Sequence, residues 1–98
     1  MIITNEQKNE KMTIHIEGRL DTITSPELEK AVDAIPEEVT DLTLDMKEVA
    51  YVSSAGLRVL LGAQKKMNKI GSMKVTGVCE PVMEILDMTG FADILTIE

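Results

Sequence analysis

The apolar residues of this chain change their spacing again and again, and that alternation restricts the fold more than any other feature. Ile14 and Ile16 alternate with Thr13, His15 and Glu17, the period of two expected of a half-buried strand, which ends at Gly18. Ile2 and Ile3 mark an earlier strand, joined to it by the polar stretch Asn5 to Glu10 in a hairpin-like opening. Leu28, Ala31, Val32 and Ile35 then recur at helical spacing. Pro26 suits the first turn of that helix, Thr24 or Ser25 its cap, and Pro36 its end. Leu42, Leu44 and Met46 return to period two, and Val49 to Val52 leads on to Ser53-Ser54-Ala55-Gly56. Leu57, Leu60, Leu61, Met67 and Ile70 line one face of a long helix stopped by Gly71. Met73 to Val78 reads as a strand, and Pro81 opens a helix carrying Val82, Ile85, Leu86 and Met88. Ile94, Leu95 and Ile97 form a short last strand. The order β-β-α-β-α-β-α-β predicts an α/β fold: one domain over residues 1–98, with a mixed, mostly parallel sheet of four to five strands and helices packed against it.

Composition narrows the function. Tyr51 and Phe91 are the only aromatic residues, so the core is aliphatic, with seven methionines among its fillers. Seventeen acidic residues against ten basic ones give a net charge of −7, which opposes binding to nucleic acid or to an anionic membrane. Cys79 and His15 are single, so neither an intrachain disulfide nor a Cys/His metal site is expected. Met1 to Lys11 lacks the apolar run of a signal peptide, and no stretch approaches membrane-spanning length. The expectation is a reduced, cytoplasmic protein.

The segment from Tyr51 to Leu61 is the most informative for chemistry. Two hydroxyls and a glycine stand where a strand meets a helix, and a helix start favours an anion through its free amides and dipole. A serine there is open to a kinase, and a phosphate at that end is tolerated. Spacing alone favours the plainer reading, that Ser54 is an N-cap. A hydrolase with Ser54 as nucleophile has only His15 as base. The Gly-x-Ser-x-Gly elbow is missing, because Val52 stands where its first glycine belongs. No Walker-type loop is present either, and no enzymatic activity is expected.

Gly18-Arg-Leu-Asp21, Leu44-Asp-Met46, Ser53-Ser-Ala-Gly-Leu57 and Leu86-Asp-Met-Thr-Gly-Phe91 together resemble the landmarks of the STAS domain, in particular of bacterial anti-sigma factor antagonists. They follow the family's order and span nearly the whole chain. The resemblance implies an antagonist whose unphosphorylated form binds an anti-sigma factor that is itself a serine kinase, thereby releasing a sigma factor. Phosphorylation switches that binding off, and a phosphatase resets it. Aligning Gly56-Leu57 places the phosphoacceptor at Ser54, with Ser53 as the alternative. It also implies partner contacts from Asp21, Thr22, Ser53, Ala55, Gly56 and Arg58. The common pattern has an Asp before the target serine and a Ser after it, where this chain has Ser53 and Ala55. The resemblance leaves a second use open, as a STAS subunit of a lipid or anion transporter or of a stress-sensing complex. No cofactor or metal is expected, and the free chain is expected to be a monomer.

Other residues have ordinary readings. Asp21 is a solvated loop residue or a cap of the helix beginning at Ser25. Asp45 and His15 lie on the polar side of their strands. Cys79 is buried rather than reactive. Met67, Met73, Met83 and Met88 fill the core, and Arg58, Lys65, Lys66 and Lys69 form a solvated helix face.

Overall fold

A computed structural model, which describes residues 1–98, contains the expected alternation. In chain order the elements are β1 (Ile2–Lys8), β2 (Lys11–Leu20), α1 (Ser25–Asp33), β3 (Asp41–Val52), α2 (Ser54–Ile70), β4 (Ser72–Thr76) and α3 (Glu80–Thr89). A single 3-10 turn, Phe91–Asp93, follows. The four strands lie side by side in sequence order, β1 antiparallel to β2 and the others parallel. Two right-handed crossovers that step the same way across a sheet leave their helices on one face. Here that face carries the core: Met12, Ile14 and Ile16 of β2, Leu42, Leu44 and Met46 of β3, and Met73 and Val75 of β4 are buried against Leu28, Val32, Leu57, Leu60 and Met67.

Several boundaries differ from those read in the sequence, among them β4, which ends at Thr76 and not at Val78. The polar stretch after Ile3 is not a connection but the body of β1, with the reversal confined to Asn9 and Glu10 and Asn9 at a positive φ of 57°. An edge strand exposed on both sides has no apolar alternation to betray it. Strand β2 runs past Gly18 to Leu20, and β3 is one strand of 12 residues. The pairing of β2 with β3 shifts register after His15 and again after Gly18, each time with an additional residue in β3. Those bulges turn the buried spacing from two to three, so that Met46, Val49 and Val52 all face the core.

At the C-terminus the expected last strand reduces to one bridge, Val75 opposite Ile97. Gly90 ends α3 in the left-handed region, the 3-10 turn follows, and Leu95 is buried, which leaves too little chain for a ladder. Met67 and Met73 are buried as expected and Met83 packs at the core's margin, but Met88 is 86% exposed. Lys66 is not simply solvated, since its Nζ donates to the Val32 carbonyl oxygen at 2.7 Å near the end of α1. The Cys79 thiol donates to the Val49 carbonyl at 3.3 Å, consistent with a structural role.

Candidate functional site

Parallel strands deliver their carboxyl ends, and the starts of the helices that follow them, to one edge of the sheet. Here β2 ends at Leu20 and β3 at Val52, paired side by side, and the chain enters α1 and α2 from that edge. The Ser53 N–H donates to the Leu20 carbonyl at 2.8 Å, which ties the start of α2 to the end of β2. Gly56 makes the closeness possible. A Cβ at that position would lie 2.8 Å from both the carbonyl oxygen and Cγ of Leu20, and 3.0 Å from Val52 Cγ1. Any side chain there would push the helix off the strand.

The two serines divide their tasks. Ser53 is extended, with φ −89° and ψ 176°, and its Oγ accepts from the Gly56 N–H at 3.4 Å, so Ser53 is the cap of α2. Ser54, read from the sequence as the cap, is the first helical residue and is exposed. The difference is one residue, but it frees the Ser54 hydroxyl from capping. The third helical position is then Gly56, and the capping box stays absent.

Beside them, Asp21 shapes the loop into α1. Its Oδ1 accepts from the Ile23 N–H at 3.0 Å, the Thr24 N–H at 3.1 Å and the Thr24 hydroxyl at 3.1 Å. The Ser25 N–H donates to the Asp21 carbonyl at 2.8 Å. The Thr24 N–H bond, aided by its hydroxyl, the Ile23 N–H and the Arg19 charge, holds the Asp21 carboxyl below the ordinary carboxylate range. Neither Thr24 nor Ser25 caps α1 with its side chain, as the sequence suggested. Asp21 supplies the anchoring carboxylate instead, and Pro26 removes one N–H that would need an acceptor. The loop is braced from the other side by Arg19, whose guanidinium lies 4.5 Å from the Tyr51 ring centroid and whose Nε is 3.9 Å from Asp21 Oδ2.

Thr22, Ala55 and Arg58 share a cleft of about 210 Å³ between the starts of α1 and α2, together with Ser25, Pro26, Glu29 and Val59. Ser53 and Ser54 precede Ala55 in the chain but do not line this cleft. Gly56, expected among the partner-facing residues, is buried and presents no surface, so its part is to let α2 approach Leu20. Ile23, 86% exposed on the Asp21 loop, was not singled out in the sequence, because one isoleucine between two threonines carries no period. The Arg19–Tyr51 stack was equally hidden, since it depends on the shifted register of β2 and β3.

His15 belongs to a different place. It lies on the open face of the sheet, with Nδ1 2.8 Å from Asp45 Oδ2 and Nε2 2.9 Å from Glu6 Oε1. Asp45 is bonded to His15 there, and its strand continues to Val52 for roughly 20 Å at about 3.3 Å per residue before Ser54 is reached. His15 therefore cannot act as a base toward Ser54.

The STAS domain profile matches residues 2–98. The chain belongs to the STAS domain family. An anti-sigma-B factor antagonist of Bacillus subtilis is 31% identical over 94% of this chain and 85% of the relative. A STAS fold of the same kind is seen in an anti-sigma factor antagonist from Mycobacterium paratuberculosis, with a TM-score of 0.87 at 22% identity over 98% of this chain and 83% of that one. The Bacillus cell fate determinant SpoIIAA in its phosphorylated form superimposes with a TM-score of 0.75 at 14% identity, over 99% of this chain and 91% of that one. No helix of this chain is long and apolar enough to cross a membrane.

Proposed function

We propose that this chain is an anti-sigma factor antagonist whose binding is switched by phosphorylation of Ser54. In its unmodified state it binds an anti-sigma factor serine kinase through the carboxyl edge of the sheet, and the sigma factor held by that kinase is released. The kinase then transfers the γ-phosphoryl group of ATP to Ser54. The Oγ–P bond forms as the bond to the β–γ bridging oxygen breaks, ADP leaves and the hydroxyl proton is lost. A phosphatase hydrolyses the ester and restores binding.

The observation that carries this reading is the division between the serines: Ser53 caps α2, which leaves Ser54 exposed at the first helical position. A phosphate there meets the positive end of the helix dipole, so the fold accommodates it. A protein partner packed on the same edge would have to bury about −1.5 to −2 charges, at a cost that breaks the contact. Thr22, Ala55 and Arg58 are the contacting residues in this reading, Ser53 and Asp21 set the geometry beneath them, and the half-buried, capping Ser53 is a poorer acceptor than the exposed Ser54. Kinship with a named antagonist along nearly the whole chain favours this reading over a transporter subunit.

Titration calorimetry of the chain against its cognate anti-sigma factor tests it. Unmodified protein is expected to bind, and Ser54→Asp to bind at least tenfold more weakly. Equal affinity for both would contradict the switch.

A further inference from the structure

The cations along the switch edge differ in what they are doing. Arg19 is stacked on Tyr51 and close to Asp21. Lys66, farther along α2, is bonded to the Val32 carbonyl. The ion pairs of the molecule involve His15, Arg19 and Lys47, so Arg58 has no carboxylate partner, although Glu29 lines the same cleft. Several lysines are equally free of ion pairs, but Arg58 is the cation that stands one helical turn after Ser54.

Its position relative to Ser54 is fixed by the helix. Residues four apart lie on one face, with Cβ atoms about 5–6 Å apart. Side chains on a helix lean toward its N-terminus, so an arginine at position 58 is within reach of the turn that carries Ser54. The N–H groups of Ser54 and Ala55 have no carbonyl partner within α2. A phosphate on Ser54 would thus have backbone amides at its base and a planar guanidinium beside it, the pair of donors best suited to a dianion.

We infer that phosphorylated Ser54 is held by Arg58, so that one arginine faces the partner in the unmodified chain and is withdrawn onto the phosphate in the modified one. This rests on the phosphorylation reading above and gives the switch a second action. The phosphate adds repulsive charge and also removes a cation from the binding surface.

The test installs phosphoserine at position 54 during synthesis, without any kinase, in otherwise wild-type protein and in Arg58→Ala and Arg58→Lys. The 31P signal of each is followed from pH 4 to 8. A free phosphoserine loses its second proton near about pH 6. The midpoint of the wild-type chain is expected to lie roughly 0.2–0.4 pH unit below that of Arg58→Ala, the size of a helical ion pair acting on the added charge, with Arg58→Lys between them. Midpoints that coincide, or a reversed order, would overturn the inference. Arg58 is exposed, so its loss is not expected to unfold the domain, and a circular dichroism melt of each variant checks this. Because the phosphate is built in, a chain that no kinase modifies still gives an answer here, and failure of the proposed function is read separately.

Discussion

The open face of the sheet and its carboxyl edge both gather polar and charged groups, yet they use them in opposite ways. On the open face the groups are paired. Asp45 is bonded to His15 and to the Lys47 N–H, and Glu6 reaches His15 from the neighbouring strand. A neutral imidazole has one N–H and can donate to only one of the two carboxylates, so this arrangement favours the charged ring. At the carboxyl edge, pairing stops one layer below the surface. Asp21, Thr24 and Ser53 are committed to local bonds, while Ser54, Thr22 and Arg58 are left to solvent. A charged group with its partners in place is explained by the fold. The exposed groups at the edge are free for the partner contact proposed above.

That contrast can be broken most severely beneath the edge. Gly56→Ala forces a methyl against the Leu20 backbone and should cost on the order of 1–3 kcal/mol. Gly62, two turns along the same helix, has nothing within 4 Å of a Cβ, so Gly62→Ala should instead stabilise by up to about 1 kcal/mol. Urea melts of the two variants are expected to move in opposite directions. A neutral Gly56→Ala would mean that the edge is not held by this contact.

Ser53→Ala sharpens the division between the serines. Loss of the cap should destabilise by about 1 kcal/mol in thermal or urea melts, whereas Ser54→Ala should leave stability nearly unchanged. Equal losses would mean that both hydroxyls serve the helix.

The smallest effect is on the open face. Hydrogen bonds to Asp45 and Glu6, with their charges, raise the His15 pKa above its ordinary 6.5 against a small opposing effect of burial. A raised folded pKa gives stability that is fully present below about pH 6.5 and is lost as pH rises through the folded value. Partial burial pushes the Asp45 carboxyl up, but the His15 bond, the Lys47 N–H and the two neighbouring positive charges outweigh it and hold it low. Its contribution is present above the carboxylate range and lost in acid, as is that of Asp21. Urea midpoints of wild type should therefore fall modestly between pH 6 and pH 8, and His15→Gln should flatten that change. An unaltered slope would show that the carboxylates do not hold the ring in solution.

Much of this was legible in the sequence, and the exceptions have physical causes. Alternation at Ile14–Ile16 and Leu42–Met46, and helical spacing at Leu57–Met67, predicted elements that the structure contains, because burial on one face writes a period into the chain. Strand β1 was legible only at Ile2 and Ile3, since Thr4 to Lys8 bury nothing. The continuity of β3 was hidden by two bulges. At the site, spacing alone made Ser54 the cap of the helix, a part the structure gives to Ser53. The choice between adjacent serines depends on which one the backbone leaves extended, and that follows from the Ser53–Leu20 hydrogen bond between distant segments. The role of Gly56 as a spacer and the stack of Arg19 on Tyr51 depend on the same long-range register.

The account turns on which serine accepts the phosphate. Wild-type protein, Ser53→Ala and Ser54→Ala, each incubated with the cognate anti-sigma factor and ATP, should be compared by intact-mass spectrometry. One phosphate on wild type and on Ser53→Ala, and none on Ser54→Ala, is the expected result. A phosphate retained by Ser54→Ala, or none on the wild-type chain, would contradict it.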